Sequence, residues 1–328
     1  MPKDKDVVIK VIVSGTNPKD WKHPFWKDLC LNSGDDIAGI VHSIGKDLRR
    51  ILRGSRLDDF PYPPKISFEE AATIPTPALT AVMALYVDMR LPAPFDPRKP
   101  VEGDKVPILI YSVTSAVGAF AAKFARLSGL SPIIGVAGRA GDFAKTVADY
   151  FIDYRDGEDA FVASVEEILA KEGLGISENG SLEATLRVID HNGGAISTLL
   201  PPKLFAKDGD KFKYPDGVTA TNTAVPRVFS THKNFGYLWS RYLGRLLEDG
   251  RLKPHPYEVI PGGLKGALTG LRNLKSGKAS AVKYVYRIEE TGDITTGLQT
   301  ADEPSIGESA GLETHQSARK FKNFPFPD

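Results

Sequence analysis

The sequence predicts an α/β protein built on a doubly wound parallel sheet, and three observations lead there. Residues 108–139, ILIYSVTSAVGAFAAKFARLSGLSPIIGVAGR, read as strand, small-residue turn, helix and second strand, closing on an arginine. From there to residue 200, strand-length apolar runs alternate with helical periodicity, the pattern of parallel strands joined by crossovers. Period-2 alternation at Val7, Ile9, Val11 and Val13, and again from Ala281 to Ile288, adds strands before and after that unit.

Each element has its own signal. After the strand at 7–14, GTNPKDW (15–21) reads as a turn-rich loop centred on Asn-Pro. GDDIAGIVHSIG (34–45) reads as a strand region whose glycines mark bulges or close backbone approach. Ser67 and Glu70 have capping-box spacing ahead of FEEAAT. Pro75 is read as ending that helix, with another from Thr76-Pro77 to about Val87. Five prolines in residues 91–107 mark a stiff surface connection.

Within the central unit, Phe120, Phe124 and Leu127 form one apolar stripe, and Gly129 stops the helix. Helices are expected over 142–150, 160–171 and 182–189, with strands at 151–154 and 195–200. Between 171 and 181 the next expected strand is missing or very short. A helix from Phe235 is expected to bury Leu238, Tyr242 and Leu246, and Gly250 stops it. Another runs to about Leu274. From Glu289 onward few bulky apolar residues occur, and residues 291–328 read as a disordered tail.

Composition excludes several classes. With 42 basic against 41 acidic residues, nothing favours nucleic acid or an anionic membrane. No apolar run reaches the ~18 residues of a membrane span, and residues 1–11 carry no secretory apolar core. The single cysteine, Cys30, rules out an internal disulfide and fits a cytoplasmic setting. One cysteine and six scattered histidines give no metal-ligand constellation. Phosphate-loop and nucleophile-elbow motifs are absent, as is any Tyr-xxx-Lys relay.

The chemistry concentrates at the turn SVTSAVG. A phosphate would sit on the N–H groups of Ser115 to Gly118, where the helix dipole is positive. Small residues there could equally serve helix–strand packing alone. Gly118 and Arg139 lie 21 residues apart, close to the ~20 at which a carboxylate binds the ribose hydroxyl in NAD sites. Here Gly138 and a guanidinium stand in that place, which favours a 2′-phosphate and hence NADP(H). The competing reading is a solvated surface arginine. Tyr154-Arg155 could flank the same phosphate or be surface residues.

Taken in order, NPKDWK (17–22), GDDIAGIVHSIG, FEEAATIPTPALTAVMALY (68–86), IYSVTSAVGAFAAKFARLSG (110–129), VAGR, FIDYRDG (151–157), ISTLLPP (196–202), FGYLWSRYLGRLLEDGRL (235–252) and GKASAVKYVYRI (277–288) resemble the medium-chain dehydrogenase/reductase superfamily. The likeness is to its zinc-independent, quinone-oxidoreductase-like branch, and most of all to stand-alone trans-acting enoyl reductases of polyketide synthases. The resemblance implies a Rossmann-type NADP-binding domain (76–252) inserted into a shortened GroES-like β-barrel catalytic domain (1–75 and 253–290), with NADPH as hydride donor. Carried over by position, cofactor contacts fall on Asn17, Pro18, Lys19, Asp20, Thr80, Thr114, Ser115, Ala116, Val117, Gly118, Gly138, Arg139 and Tyr154. Leu199 and Leu200 would lie near the nicotinamide, and Val285 and Tyr286 would close the cleft. Asp35 and Asp36 stand where zinc enzymes of the superfamily carry metal-binding residues.

Three departures accompany the likeness. Ser112-Val113 replaces a usual Gly-Ala, a segment between Arg56 and Pro64 is absent, and a second shortening at 171–176 removes a central strand. The expected function is reduction of an activated C=C bond in an enoyl thioester, enone or quinone, with Asn17 and Lys22 around the carbonyl. The alternative is a catalytically impaired homologue, or the product of an altered gene model, acting as a docking partner. Expected partners are a small-molecule substrate with an activated double bond and a polyketide synthase, the chain itself being a monomer or homodimer.

Overall fold

The computed structural model describes Lys3 and residues 6–27, 34–47, 65–96, 105–174, 185–186, 188–201 and 211–292. The expected absences at 57–64 and 171–176, the tail beyond 292, Cys30 and most of the helix expected at 182–189 lie wholly or partly outside these residues.

Strands from both ends of the chain share one sheet. β1 (Val7–Gly15) pairs antiparallel with β2 (Asp36–Ile44) on one side and with β9 (Lys283–Arg287) on the other. β8 (Tyr257–Val259) adds in parallel beyond β9. Gly39 sits opposite Val11, beside a register shift in β1, and a Cβ on it would meet the Lys10 carbonyl oxygen at 2.2 Å. The expected close approach is therefore real. Val13, Ala38, Ala71, Ala72 and Val285 form the core beneath this sheet.

The inserted unit is Rossmann-type. β3 (Ile108–Tyr111), β4 (Ile133–Ala137) and β5 (Tyr150–Asp153) are parallel in that spatial order. β4 is buried along its length, and its residues divide by the pleat between two cores. Ile133 and Ala137 face the core that holds Phe120, Phe124 and Val147. Ile134 and Val136 face Phe161, Val165 and Leu169. The first group comes from α4 (Ala116–Leu127) and the end of α5 (Gly141–Val147), the second from α6 (Glu158–Lys171). Helices thus cover both faces. β6 (Ala195–Thr198) and β7 (Thr219–Asn222) pair in parallel as a separate two-stranded sheet, and among the described residues no strand occupies the free edge of β3.

Three local readings are corrected. NPKDW opens a helix, α1 (Pro18–Lys27). Pro18 takes the first helical position, and the Asp20 carboxylate reaches back 2.7 Å to the Asn17 N–H, as a capping acid does. Pro75 begins a helix where it was expected to end one. α2 (Phe68–Ala71) carries the predicted Ser67/Glu70 capping box, and α3 starts at Pro75 (Pro75–Val82) and widens into a π-helical stretch to Asp88. In α7 (Lys233–Glu248) the inward stripe is Trp239, Leu243, Leu246 and Leu247, whereas Leu238 is 62% exposed. Trp239 turns the helix, because its ring stacks on Tyr86 at 4.9 Å and meets Phe124 edge-on at 5.7 Å.

Candidate active site

The first half of the site is the turn between β3 and α4. Ser115 is the N-cap, and its hydroxyl accepts the Gly118 N–H at 3.1 Å. Gly118 has to be glycine, since a Cβ there would lie 2.3 Å from the Ser112 carbonyl oxygen. That contact presses the helix start against the turn, the packing role of the third glycine in dinucleotide folds. Val113, one of the two unusual turn residues, is fully buried against Gly135. The other, Ser112, carries φ 59, a left-handed conformation in which glycine is at ease and serine is strained.

Parallel pairing places the residues after each strand on one edge. Ser112 follows β3, Gly138 and Arg139 follow β4, and Tyr154 follows β5. In open α/β sheets this carboxyl edge is where ligands bind. The Tyr154 ring covers Gly138, where a Cβ would come within 3.0 Å of the ring, and lies 5.9 Å from the Tyr111 ring. Arg139 is exposed and donates through Nη2 to the Gly277 carbonyl, tying the parallel unit to the turn before β9. Arg155, offered with Tyr154 as a second phosphate neighbour, is instead paired with Asp153.

The second half is a buried polar network where β1, β2 and β9 meet. Asn17 donates through Nδ2 to Asp36 Oδ2 at 2.8 Å and accepts at Oδ1 from Lys283 Nζ at 3.1 Å. Lys283 also pairs with Asp36. Their side chains are 4% and 0% exposed. The second oxygen of Asp36 accepts the Thr76 N–H at 2.7 Å, in the first turn of α3, where the helix dipole favours a carboxylate. Lys19 bridges Asp20 and Asp35 at 2.9 Å each. Burial works against its charge, but these two hydrogen bonds outweigh that and hold its pKa above the ordinary lysine value. Burial lowers the pKa of Lys283, opposed by Asp36.

The expected site residues therefore fall in two groups. Thr114 to Gly118, Gly138, Arg139 and Tyr154 share the sheet edge, and Leu199 and Leu200 follow β6. Asn17, Lys19 and Asp20 belong to or adjoin the network, with Pro18 leading into α1. Thr80 is buried one turn along α3, its hydroxyl on the Thr76 carbonyl at 2.6 Å. Lys22 holds its ammonium 5.6 Å over the Trp21 ring, half-buried, and burial lowers its pKa. Val285 and Tyr286, expected at the cleft, are core residues. Val285 is 0% exposed between β1 and β8, and the Tyr286 hydroxyl donates to the Ala267 carbonyl at 3.3 Å. Lys283 and Thr76 were not anticipated. The one available signal was a lysine inside an otherwise apolar strand, AVKYVY.

The parallel unit, its glycine-tight turn and the sheet shared by both chain ends make up a Rossmann-type unit joined to a GroES-like one, the fold of known enoyl reductases and alcohol dehydrogenases. No family model matches the chain. A trans-enoyl reductase from Gibberella fujikuroi, fsr4, is 32% identical over 295 residues, covering 79% of this chain and 85% of its own. A second, ACTTS2 from Alternaria alternata, is 29% identical over 323 residues, covering 88% and 93%. Among solved structures, the CurK enoyl reductase superposes with a TM-score of 0.66 at 19% identity, over 87% of this chain and 91% of that one. The chain belongs to the trans-enoyl reductase family.

Proposed function

We propose that this protein is an NADPH-dependent reductase of activated C=C bonds, acting on an enoyl thioester carried by a polyketide synthase. The observation that carries this reading is the pairing of a nucleotide turn ending at Arg139 with the buried Asn17 network in a chain 32% identical to a trans-enoyl reductase. The turn fits the cofactor. Gly118 keeps the backbone close, and the Ala116 and Val117 N–H groups at the start of α4 have no acceptor among the described residues. Arg139 would take the 2′-phosphate, Ser115 to Gly118 the pyrophosphate, and Tyr154 would flank the adenosine.

Bound there, NADPH supplies a hydride to the β-carbon. The chain's own part is to position and to polarise. Asn17 donates a hydrogen bond to the substrate carbonyl, which favours negative charge on oxygen as the enolate develops. We place Asn17 ahead of Lys22 because its amide is held from both sides. The α-carbon takes its proton from solvent or a neighbouring side chain. The split parallel sheet carries a second reading, a chain that docks on a synthase without reducing anything.

Both readings meet one experiment. The purified protein is mixed with NADPH and a crotonyl thioester of pantetheine, and loss of NADPH absorbance is followed. Turnover and micromolar NADPH binding support the reductase. No binding at millimolar cofactor sinks it and leaves the docking reading. Arg139→Ala is expected to weaken NADPH at least tenfold more than NADH, as loss of a charge-assisted phosphate contact implies. Equal weakening of both removes the 2′-phosphate assignment.

A further inference from the structure

We propose that Lys283 and Asp36 are positioning residues: together they lock the Asn17 amide in one orientation and leave one Nδ2 hydrogen to donate to the substrate carbonyl. The role as donor rests on the reductase reading above. The lock itself rests on geometry alone.

A lysine ammonium can only donate and an ionised carboxylate can only accept. Asn17 Oδ1 therefore faces Lys283 and Nδ2 faces Asp36, the arrangement observed. Turning the amide over would set an N–H against an ammonium and an oxygen against a carboxylate. Neither partner can move aside. Asp36 is fixed by its bonds to Lys283 and the Thr76 N–H. Lys283 passes beneath Gly15, where a Cβ would meet its Cε at 3.0 Å and the Ala72 carbonyl oxygen at 2.5 Å. Gly15 is itself the residue paired with both Asp36 and Val285, so the three strands converge on this point.

Nδ2 carries two hydrogens. One goes to Asp36, and the other has no partner among the described residues. A donor held this way needs no reorganisation when charge appears on the substrate oxygen. Stability alone is a poor account of the pair, because a buried ion pair is often matched by apolar residues of similar volume. Orientation is what the charged pair adds.

The test uses the full chain. Lys283→Met alone would strand a buried carboxylate and can fail to fold, so the key variant is Asp36→Asn/Lys283→Met, which removes both charges and keeps an acceptor for Thr76. It is expected to fold, to bind NADPH within about twofold of wild type, and to lose roughly 10–100-fold in kcat with little change in KM, somewhat less than losing an oxyanion donor outright. Asn17→Ala should lose at least as much. Adding it to the double variant should cost nothing beyond Asn17→Ala, because the pair acts through that amide. Wild-type kcat in the double variant, or losses that multiply in the triple, would overturn the proposal.

A readout without turnover separates the lock from the reductase reading. The Asn17 side-chain amide, assigned by its loss in Asn17→Ala, should show one slowly exchanging hydrogen in the wild type and two fast ones in the double variant. Two fast hydrogens in the wild type overturn the lock. A locked amide in a wild type that reduces no enoyl thioester removes the donor role with the reductase reading and leaves the lock standing.

Discussion

At His255 the chain buries an imidazole to 2% exposure, and Nδ1 has no hydrogen-bond partner among the described residues. The Phe143 ring meets it edge-on at 5.5 Å. Burial, with help from the charges of Lys123 and Lys283, lowers its pKa to about 3. In the unfolded chain the same group takes its proton near pH 6.5. Between those values the unfolded state binds more protons, so stability is lost as pH falls through that window, at up to about 1.4 kcal/mol per pH unit. Urea unfolding from pH 6.5 to 4 should show this slope, and His255→Leu should flatten it by about one proton. Equal slopes in the two proteins would count against a neutral buried His255. At Ser112, the left-handed φ of 59 predicts the opposite kind of change. Ser112→Gly should stabilise by roughly 0.5–1 kcal/mol in urea unfolding.

The candidate site was unevenly legible at this scale. Arg139 could be found because a spacing of about 20 residues from the glycine turn is set by the length of one helix and one strand. Lys283 could not. Along β9, Lys283 to Tyr286 are buried on both faces, so period-2 alternation gives no inside or outside to assign a lysine to.

Among elements, those with strong local signals were legible: the strand–turn–helix–strand of β3, α4 and β4, the capping box of α2, and the alternation of β1. α1 was misread because Asn-Pro serves both a turn and a helix start. What decides is the Asp20 carboxylate reaching back to the Asn17 N–H. β7 gave no signal because TATN is polar and no more than half-buried. One close element contact is at the head of α4. Gly118→Ala would force Ser112 and the helix start apart from a 2.3 Å overlap. It is expected to cost more than about 2 kcal/mol, at the upper end of ordinary single-site effects. NADPH binding should fall with it, and a variant with unchanged affinity would separate the turn from the cofactor site.

For the whole molecule, the division of the parallel sheet has a measurable outcome. β4 is buried throughout and paired on both sides, while β6 and β7 have only each other among the described strands. Backbone hydrogen bonds with little burial around them open at lower free energy. In hydrogen exchange by mass spectrometry, peptides covering 195–198 and 219–222 should exchange well before those covering 133–137. Matching protection across both would show that the two pieces open as one. The shared sheet of β1 and β9 was the architectural feature no local pattern could reveal. Its pairing spans nearly the whole chain, and only the resemblance pointed to it.

That shared sheet also orders the protein's synthesis. Thr16 has no carbonyl to donate to until Tyr284, 268 residues further on, has been made. At roughly 5–20 residues per second, the wait is on the order of tens of seconds. During it the ribosome has released everything needed for the nucleotide turn, but Asp36 has no lysine and Asn17 nothing to hold its amide. A nascent chain can thus complete its nucleotide-type turn first, and the buried network closes only with the strand that carries Lys283.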